Sequence, residues 1–519
     1  MLKKYALLSF VFICMGASSA LALELDWNGQ FRSEFNYVKT YTMDGNATGL
    51  DPVRAPTVTL SNGNQQVQSK GGYYVPFGGS NNATFETLFA KLQPKAVVND
   101  NITIKSEWWV GDPIYGFYGG ASPYPSDQKQ YYSTFSRGSY ITAQRFWGEF
   151  LTDFGTIKLG RAPLNYGLGL VWNSGDDMWS HYESTGDIVS LVSKFGAFSF
   201  IPTFVSYSTG NNVGGNCQGP ATNAGGGCTP TAGSGALNDY SIQVKYENLD
   251  EDFTAGLNFI RRIAGSSQDS VSGYFWNGVG GLNYNTYDIY MKKKIGKLEI
   301  AAEVPVTNGN VGGVPYSTWA FAAEADWRVN DPWEFLFKVG RAPGQPDSPT
   351  QQPGSYKGFY FNQDYQIALI MFNYALQNFA GPNNLNNPNV QPSALASPYD
   401  NPITNASYLA VTPTLHADKW KFHANYVFAK ANQTATPGQF FWNTQTRNMQ
   451  ANNAGETQGS SLGWEMDYGA DFQYDQYFQF GFNVGWWFPG SYYGFSNVAG
   501  NDNATNAVTA ALVRIGVSF

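Results

Sequence analysis

LDWNGQFRSEFNY, residues 25–37, divides by parity into two unlike halves. Leu25, Trp27, Gly29, Phe31, Ser33, Phe35 and Tyr37 fall on one side, and Asp26, Asn28, Gln30, Arg32, Glu34 and Asn36 on the other. Successive side chains of a strand point to opposite faces, so the stretch reads as a strand with one apolar and one charged face. In a soluble sandwich the aromatic face would be the core. In a membrane barrel it would face lipid. The remainder of the chain decides between them.

Lys3 and Lys4, the apolar run ALLSFVFICMGA and the small-residue site Ala20-Leu21-Ala22 have the layout of a secretory signal peptide over residues 1–22. Cys14 lies inside that run, and processing would remove it. Residues 23–519 would then form one barrel domain. No later run of eighteen apolar residues exists, which excludes a helical membrane protein. Charged residues are 13% of the chain, about half the usual ~25%, while aromatics reach 16%. The chain has 31 basic and 39 acidic residues, and loss of the two leader lysines leaves a net charge of −10. That balance argues against nucleic acid as a partner.

The opening alternation recurs. Trp319, Phe321, Ala323, Ala325 and Trp327 oppose Ala320, Ala322, Glu324, Asp326 and Arg328, and Trp464, Met466 and Tyr468 oppose Glu465 and Asp467. Eight connections are short, near 99–101, 153–155, 195–197, 249–251, 293–297, 330–332, 417–419 and 475–476. Nine others are long and rich in Gly, Asn, Pro and Ser, near 39–82, 111–139, 165–186, 208–238, 263–281, 306–317, 343–405, 430–460 and 488–506. Short turns alternating with long loops are the mark of an outer-membrane barrel, and a soluble sandwich has no reason to segregate them. The expected fold is an all-β transmembrane antiparallel barrel of about eighteen strands. The last strand, ending in Phe519, resembles the assembly signal of Gram-negative barrel proteins, which implies the barrel assembly machinery as a partner. DYQIALIMFNYALQ, residues 364–377, fits no strand in this count. Ile367, Ile370, Met371 and Tyr374 are spaced as on a helix, so it is assigned to the loop 343–405 as a helical or folded-in element. An extra strand there would give a barrel of twenty.

For an enzyme the chain offers little, with three His in all. His181 alone sits among acids, in GDDMWSHYESTGD with Asp176, Asp177, Glu183 and Asp187, at a position where some outer-membrane proteases carry catalytic Asp and His. A solvated acidic loop is the plain reading; Asp176, Asp177 and Glu183 form a weak calcium candidate, because Ca²⁺ takes carboxylate oxygens. No zinc or phosphate-binding spacing appears, no cofactor is implied, and the chain is not expected to be an enzyme. Cys217 and Cys228 flank a Gly-rich loop segment and, in an exported chain, are expected to form a disulfide.

GRAP occurs at 160–163 and 340–343. FGTIKLGR, ending in the first copy, resembles a segment of general bacterial porins in which a strand ends in Gly-Arg and the Arg lines the constriction. The wider stretch GRAPLNYGLGLVWNSGDD also looks like a group of uncharacterised proteobacterial barrel proteins. The porin resemblance implies that Arg161, and by analogy Arg341, line a pore. Strict alternation instead puts Arg161 with Ile157 and Leu159, and Arg341 with Phe337 and Val339, on the apolar side. Either a bulge at Gly160 and Gly340 re-aims both, or the strands have reached the headgroup zone by then.

The polar parity supplies further pore-lining candidates: Arg32, Glu34, Lys105, Glu107, Arg145, Glu149, Glu324, Asp326, Arg328, Glu465 and Asp467. So many charges on one face imply a watered interior. The expected function is an outer-membrane passive diffusion channel for small hydrophilic solutes, narrowed by infolded loops, with ion transport as a corollary. A carbohydrate channel is a close variant, since Trp109 and Trp147 share the polar parity. A plugged barrel serving as a surface structural protein or adhesin is the alternative, and a barrel enzyme built on His181 a third. Outer-membrane lipid is the expected surrounding, and a homotrimer follows from analogy with porins.

Overall fold

A computed structural model describes residues 24–40, 43, 57–59, 65–67, 82–111, 141–208, 237–264, 282–311, 314–344, 355–374, 402–443 and 448–519. The leader, Cys217 and Cys228 lie outside the described residues.

Eighteen antiparallel strands form one sheet closed on itself. Each pairs with its neighbours in sequence, and the first, Glu24–Lys39, also pairs with the last, Val508–Ser518, in the register Gln30 to Ser518 through Lys39 to Thr509. Closure matters because lipid offers no hydrogen-bond partner to a free sheet edge. One strand is broken in two, Val314–Trp319 and Phe321–Arg328, at Ala320, whose N–H donates to the Pro305 carbonyl.

The alternation seen in the sequence sorts the faces. Trp27, Phe31, Phe35 and Tyr37 lie on the exposed exterior, whereas Arg32 and Glu34 are 2% and 1% exposed and point inward. Nearly every strand repeats the pattern, giving an apolar outer belt with Trp and Tyr among its members, as a bilayer requires. All eight short turns stand where the sequence places them.

The long connections depart from expectation in one place. The loop expected near 306–317 is mostly strand, because Leu298–Val311 and Val314–Trp319 run on and pair with each other. Asn308, Asn310 and Ser317 sit on the outer face there, where strands that outrun the bilayer take polar side chains on both faces. At 364–377 the folded-in reading holds and the helical one does not. The described part of that stretch, to Tyr374, is a chain of turns and bends, not a helix and not a wall strand, folded into the lumen. The one helix among the described residues is the short Ser491–Gly494.

Candidate functional site: a lumen crossed by two loops

Among the described residues two segments enter the barrel, residues 164–184 and 355–374. The first is held on one side by cations. Arg145 reaches Glu107 at 3.1 Å, Asp176 at 3.0 Å and Glu183 at 2.8 Å, and donates to the Ser174 carbonyl. Lys91 Nζ donates to the Gly175 carbonyl at 2.9 Å. Arg32 donates to the carbonyls of Met178 and Ser180, lies over the Phe89 ring at 4.8 Å, and stands 3.6 Å from Glu34. Glu34 in turn meets His181 Nε2 at 2.8 Å. These residues belong to the first four strands. Charge-assisted bonds of this kind are the strong ones where water is scarce.

The other end of the same segment docks on the eleventh strand, across the barrel. The Glu303 carboxylate accepts from the N–H groups of Leu168 and Leu170. Gly167, at φ +61°, leaves room for it, since a Cβ there would collide with the Glu303 carboxylate. Residues 164–184 therefore span the lumen from wall to wall.

Residues 355–374 are held differently. Glu465 accepts from the N–H groups of Ile370 at 2.6 Å and Met371 at 2.7 Å, and Asp467 from Leu369 at 3.2 Å. Two wall carboxylates thus take the amides that a helix would have paired internally, which is why helical spacing gives no helix here. Tyr365 Oη donates to Glu324 at 2.9 Å, and Tyr374 Oη to Asn36 at 2.7 Å. Gly340 is bare of a side chain where the Tyr408 ring passes, which lets Tyr408 pack beside Tyr365. Ile367, Ile370, Met371, Phe361 and Leu170 form an apolar cluster within the barrel against Ala322, Ala410 and Val427. The two segments also meet each other, through Asn362 N–H to the Leu170 carbonyl and His181 N–H to Asp364.

Between them and the wall of strands from Ala406–Ala417 round to Glu24–Lys39 remains a cavity of about 600 Å³. Its lining carries Glu34, Asp176, Asp177, Asp364 and Asp467 against His181, His423 and Arg514, among amides such as Asn36, Asn425 and Asn483. In the loop part of this site, burial pushes the Glu183 carboxyl up to about 7, against the pull of Arg145 and with Glu107 adding to the rise.

The sequence candidates divide accordingly. Arg32, Glu34, Glu107, Arg145, Glu465 and Asp467 do face inward, and most of their charge is spent on holding loops. Lys105 and Glu149 pair with each other at 3.0 Å, Glu324 pairs with Lys338 at 3.0 Å, and Asp326 and Arg328 lie at the short-turn end. Arg161 and Arg341 are corrections. Arg161 shares the outer face with Ile157 and Leu159 and pairs with Asp187 at 2.8 Å, both side chains about half exposed. Arg341 lies over Trp319, an exposed outer residue, at 4.9 Å. The strand through Gly160 keeps its register, so no bulge turns Arg161 inward. The calcium candidate also falls, because Arg145 already occupies the space between Asp176 and Glu183. Trp109 and Trp147 point their indole N–H groups at Glu107 and Glu149 rather than at open lumen. Lys91, Asp364 and Tyr365 are functional residues that the sequence does not mark, apart from the parity of Phe89 and Lys91, which points to the lysine.

A closed barrel with an apolar belt, short turns on one rim and long loops on the other is an outer-membrane β-barrel of porin-like architecture. No family model matches the chain, and no curated protein matches it. Among solved structures it is similar to the outer membrane protein OprD from Pseudomonas aeruginosa, with a TM-score of 0.46 and 10% identity over 97% of this chain and 95% of that one. OccK9 (OpdG) of the same organism gives 0.46 and 10% over 96% and 99%, and OmpT of Vibrio cholerae 0.35 and 10% over 97% and 99%. No residue role carries over from them.

Proposed function

We propose that the chain is a passive outer-membrane channel for small hydrophilic solutes, narrowed by its two infolded loops. The polar cavity between those loops and the wall carries the reading. Five carboxylates face three basic side chains in its lining, a field that favours neutral and cationic solutes over anions. The apolar cluster around Ile370 supports the alternative, a plugged barrel serving a structural or adhesive role at the surface. His181 supports an enzyme poorly, since its ring is bonded to Glu34 and the neighbouring Asp176 and Glu183 to Arg145. The homotrimer and the barrel assembly machinery remain part of the proposal by analogy with porins.

Single-channel recording of the refolded chain in a planar bilayer tests this. Discrete ohmic steps with a reversal potential shifted toward cations are expected. A bilayer that stays silent with inserted protein would replace the channel with the plugged barrel.

A further inference from the structure

Two of the outward Arg residues at the loop end of the barrel, Arg161 and Arg341, are not alike. Arg161 carries its own carboxylate, Asp187, which neutralises it on the neighbouring strand. Arg341 and Lys430 have none: among the described residues neither stands within ion-pair distance of an acid. They also lie in one lateral row. Arg341 is in register with Ser407, Ser407 with Lys430, and Lys430 with Ser461. Two strand spacings separate the cations, about 10 Å between backbones, within joint reach of two such long side chains.

Immediately below that row the outer face turns apolar, with Val339, Leu409, Phe428 and Trp464 all exposed. Trp464 stacks on Phe488 at 4.4 Å, and Trp319 on Phe321 at 6.1 Å, the flat aromatic pairs expected at a membrane interface. Arg341 and Lys430 are each one residue from the end of their strands, Trp333–Ala342 and Trp420–Ala431. Two unneutralised cations therefore stand at the upper edge of the hydrocarbon belt, where acyl chains end and headgroups begin.

We propose that this row binds the phosphorylated headgroup of an outer-leaflet lipid, the acyl chains lying along Val339, Leu409 and Phe428. The guanidinium of Arg341, held on Trp319, presents paired N–H groups to phosphate oxygens, and Lys430 adds a second charge. An anion supplies from the lipid what Asp187 supplies to Arg161 from the chain.

The test uses the full folded chain in nanodiscs of neutral lipid doped with lipid A, released into native mass spectrometry to count retained lipid. R341Q/K430Q removes both charges but keeps polar side chains, and should lower lipid A retention about 20-fold, each single variant about fivefold, with the heat-dependent gel mobility of a folded barrel unchanged. R161Q should retain lipid A as the parent does. The proposal is overturned if the double variant retains as much as the parent, or if R161Q loses as much as the double. Displacement of lipid A by inorganic phosphate, where chloride at equal ionic strength has no effect, would make this a site for a free anion and would equally overturn it.

Discussion

The two described segments that enter the lumen share amide capture by a wall carboxylate, Glu303 for the first and Glu465 with Asp467 for the second. Only the first is also gripped by buried cations. Residues 164–184 are gripped by Arg32, Lys91 and Arg145 through carbonyls and carboxylates, whereas 355–374 is gripped by Glu465 and Asp467 through its own amides and by apolar packing. A segment held by charge collapses when one cation goes, because buried carboxylates are left without a partner. A segment held by amide capture and packing loses its hold in smaller steps. The wall charges of this barrel are thus fixings first and selectivity elements second.

Arg145→Ala should break the comparison most strongly. It leaves the buried Glu107 and Glu183 without their cation, a loss of about 3–5 kcal/mol for breaking a buried pair, while the half-exposed Asp176 is left to water. Residues 164–184 should become sensitive to limited proteolysis and channel conductance should rise; unchanged proteolysis would show that the cation does not hold the loop. Glu465→Ala should cost about 1–3 kcal/mol by leaving the Ile370 and Met371 amides unpaired. Faster hydrogen exchange at those two amides, with 164–184 still protected, is the expected reading, and exchange spreading to both segments would merge them into one unit. Tyr374→Phe removes one bond to Asn36 and should cost about 1 kcal/mol, read as a modest rise in current noise with mean conductance nearly kept.

The pH response bears on the first segment alone. Glu183 is an acid whose carboxyl is raised to about 7 in the docked loop, against 4.5 for the free side chain. The docked state therefore holds the extra proton between those values, so docking weakens as pH rises through about 7 and is strongest below 4.5 with respect to this group. Proteolysis of 164–184 should accelerate over that window in the parent, and Glu183→Gln should flatten the slope; a slope that survives the substitution assigns it to another group. The least effect belongs to Arg161→Ala, which removes an exposed pair worth under about 1 kcal/mol and should leave conductance untouched. A conductance change there would return Arg161 to the pore.

The wall was legible in the sequence because a bilayer imposes a period of two on every strand and makes the two rims unequal. Even the GRAP arginines were legible by that rule: parity put Arg161 and Arg341 outside, and the porin resemblance pointed them inward. The lumen was legible only by half. Parity gave the direction of Arg32, Glu34, Arg145 and Glu465, but their partners lie in loops some 29 to 148 residues away in sequence. No local pattern encodes a carbonyl offered from such a distance. The helical spacing at 367–374 misled for a related reason, since a lumen lined by wall carboxylates can pair amides that would otherwise need a helix.

The seam between the first and last strands has a temporal consequence. Gln30 meets Ser518 across almost the whole chain, a contact of the greatest sequence separation and so among the slowest to form. Arg32 and Glu34, which seat residues 178–181, stand on that same seam. A partly assembled barrel would have a ragged gap beside those anchors, so residues 178–181 have their full seat only once the cylinder is shut.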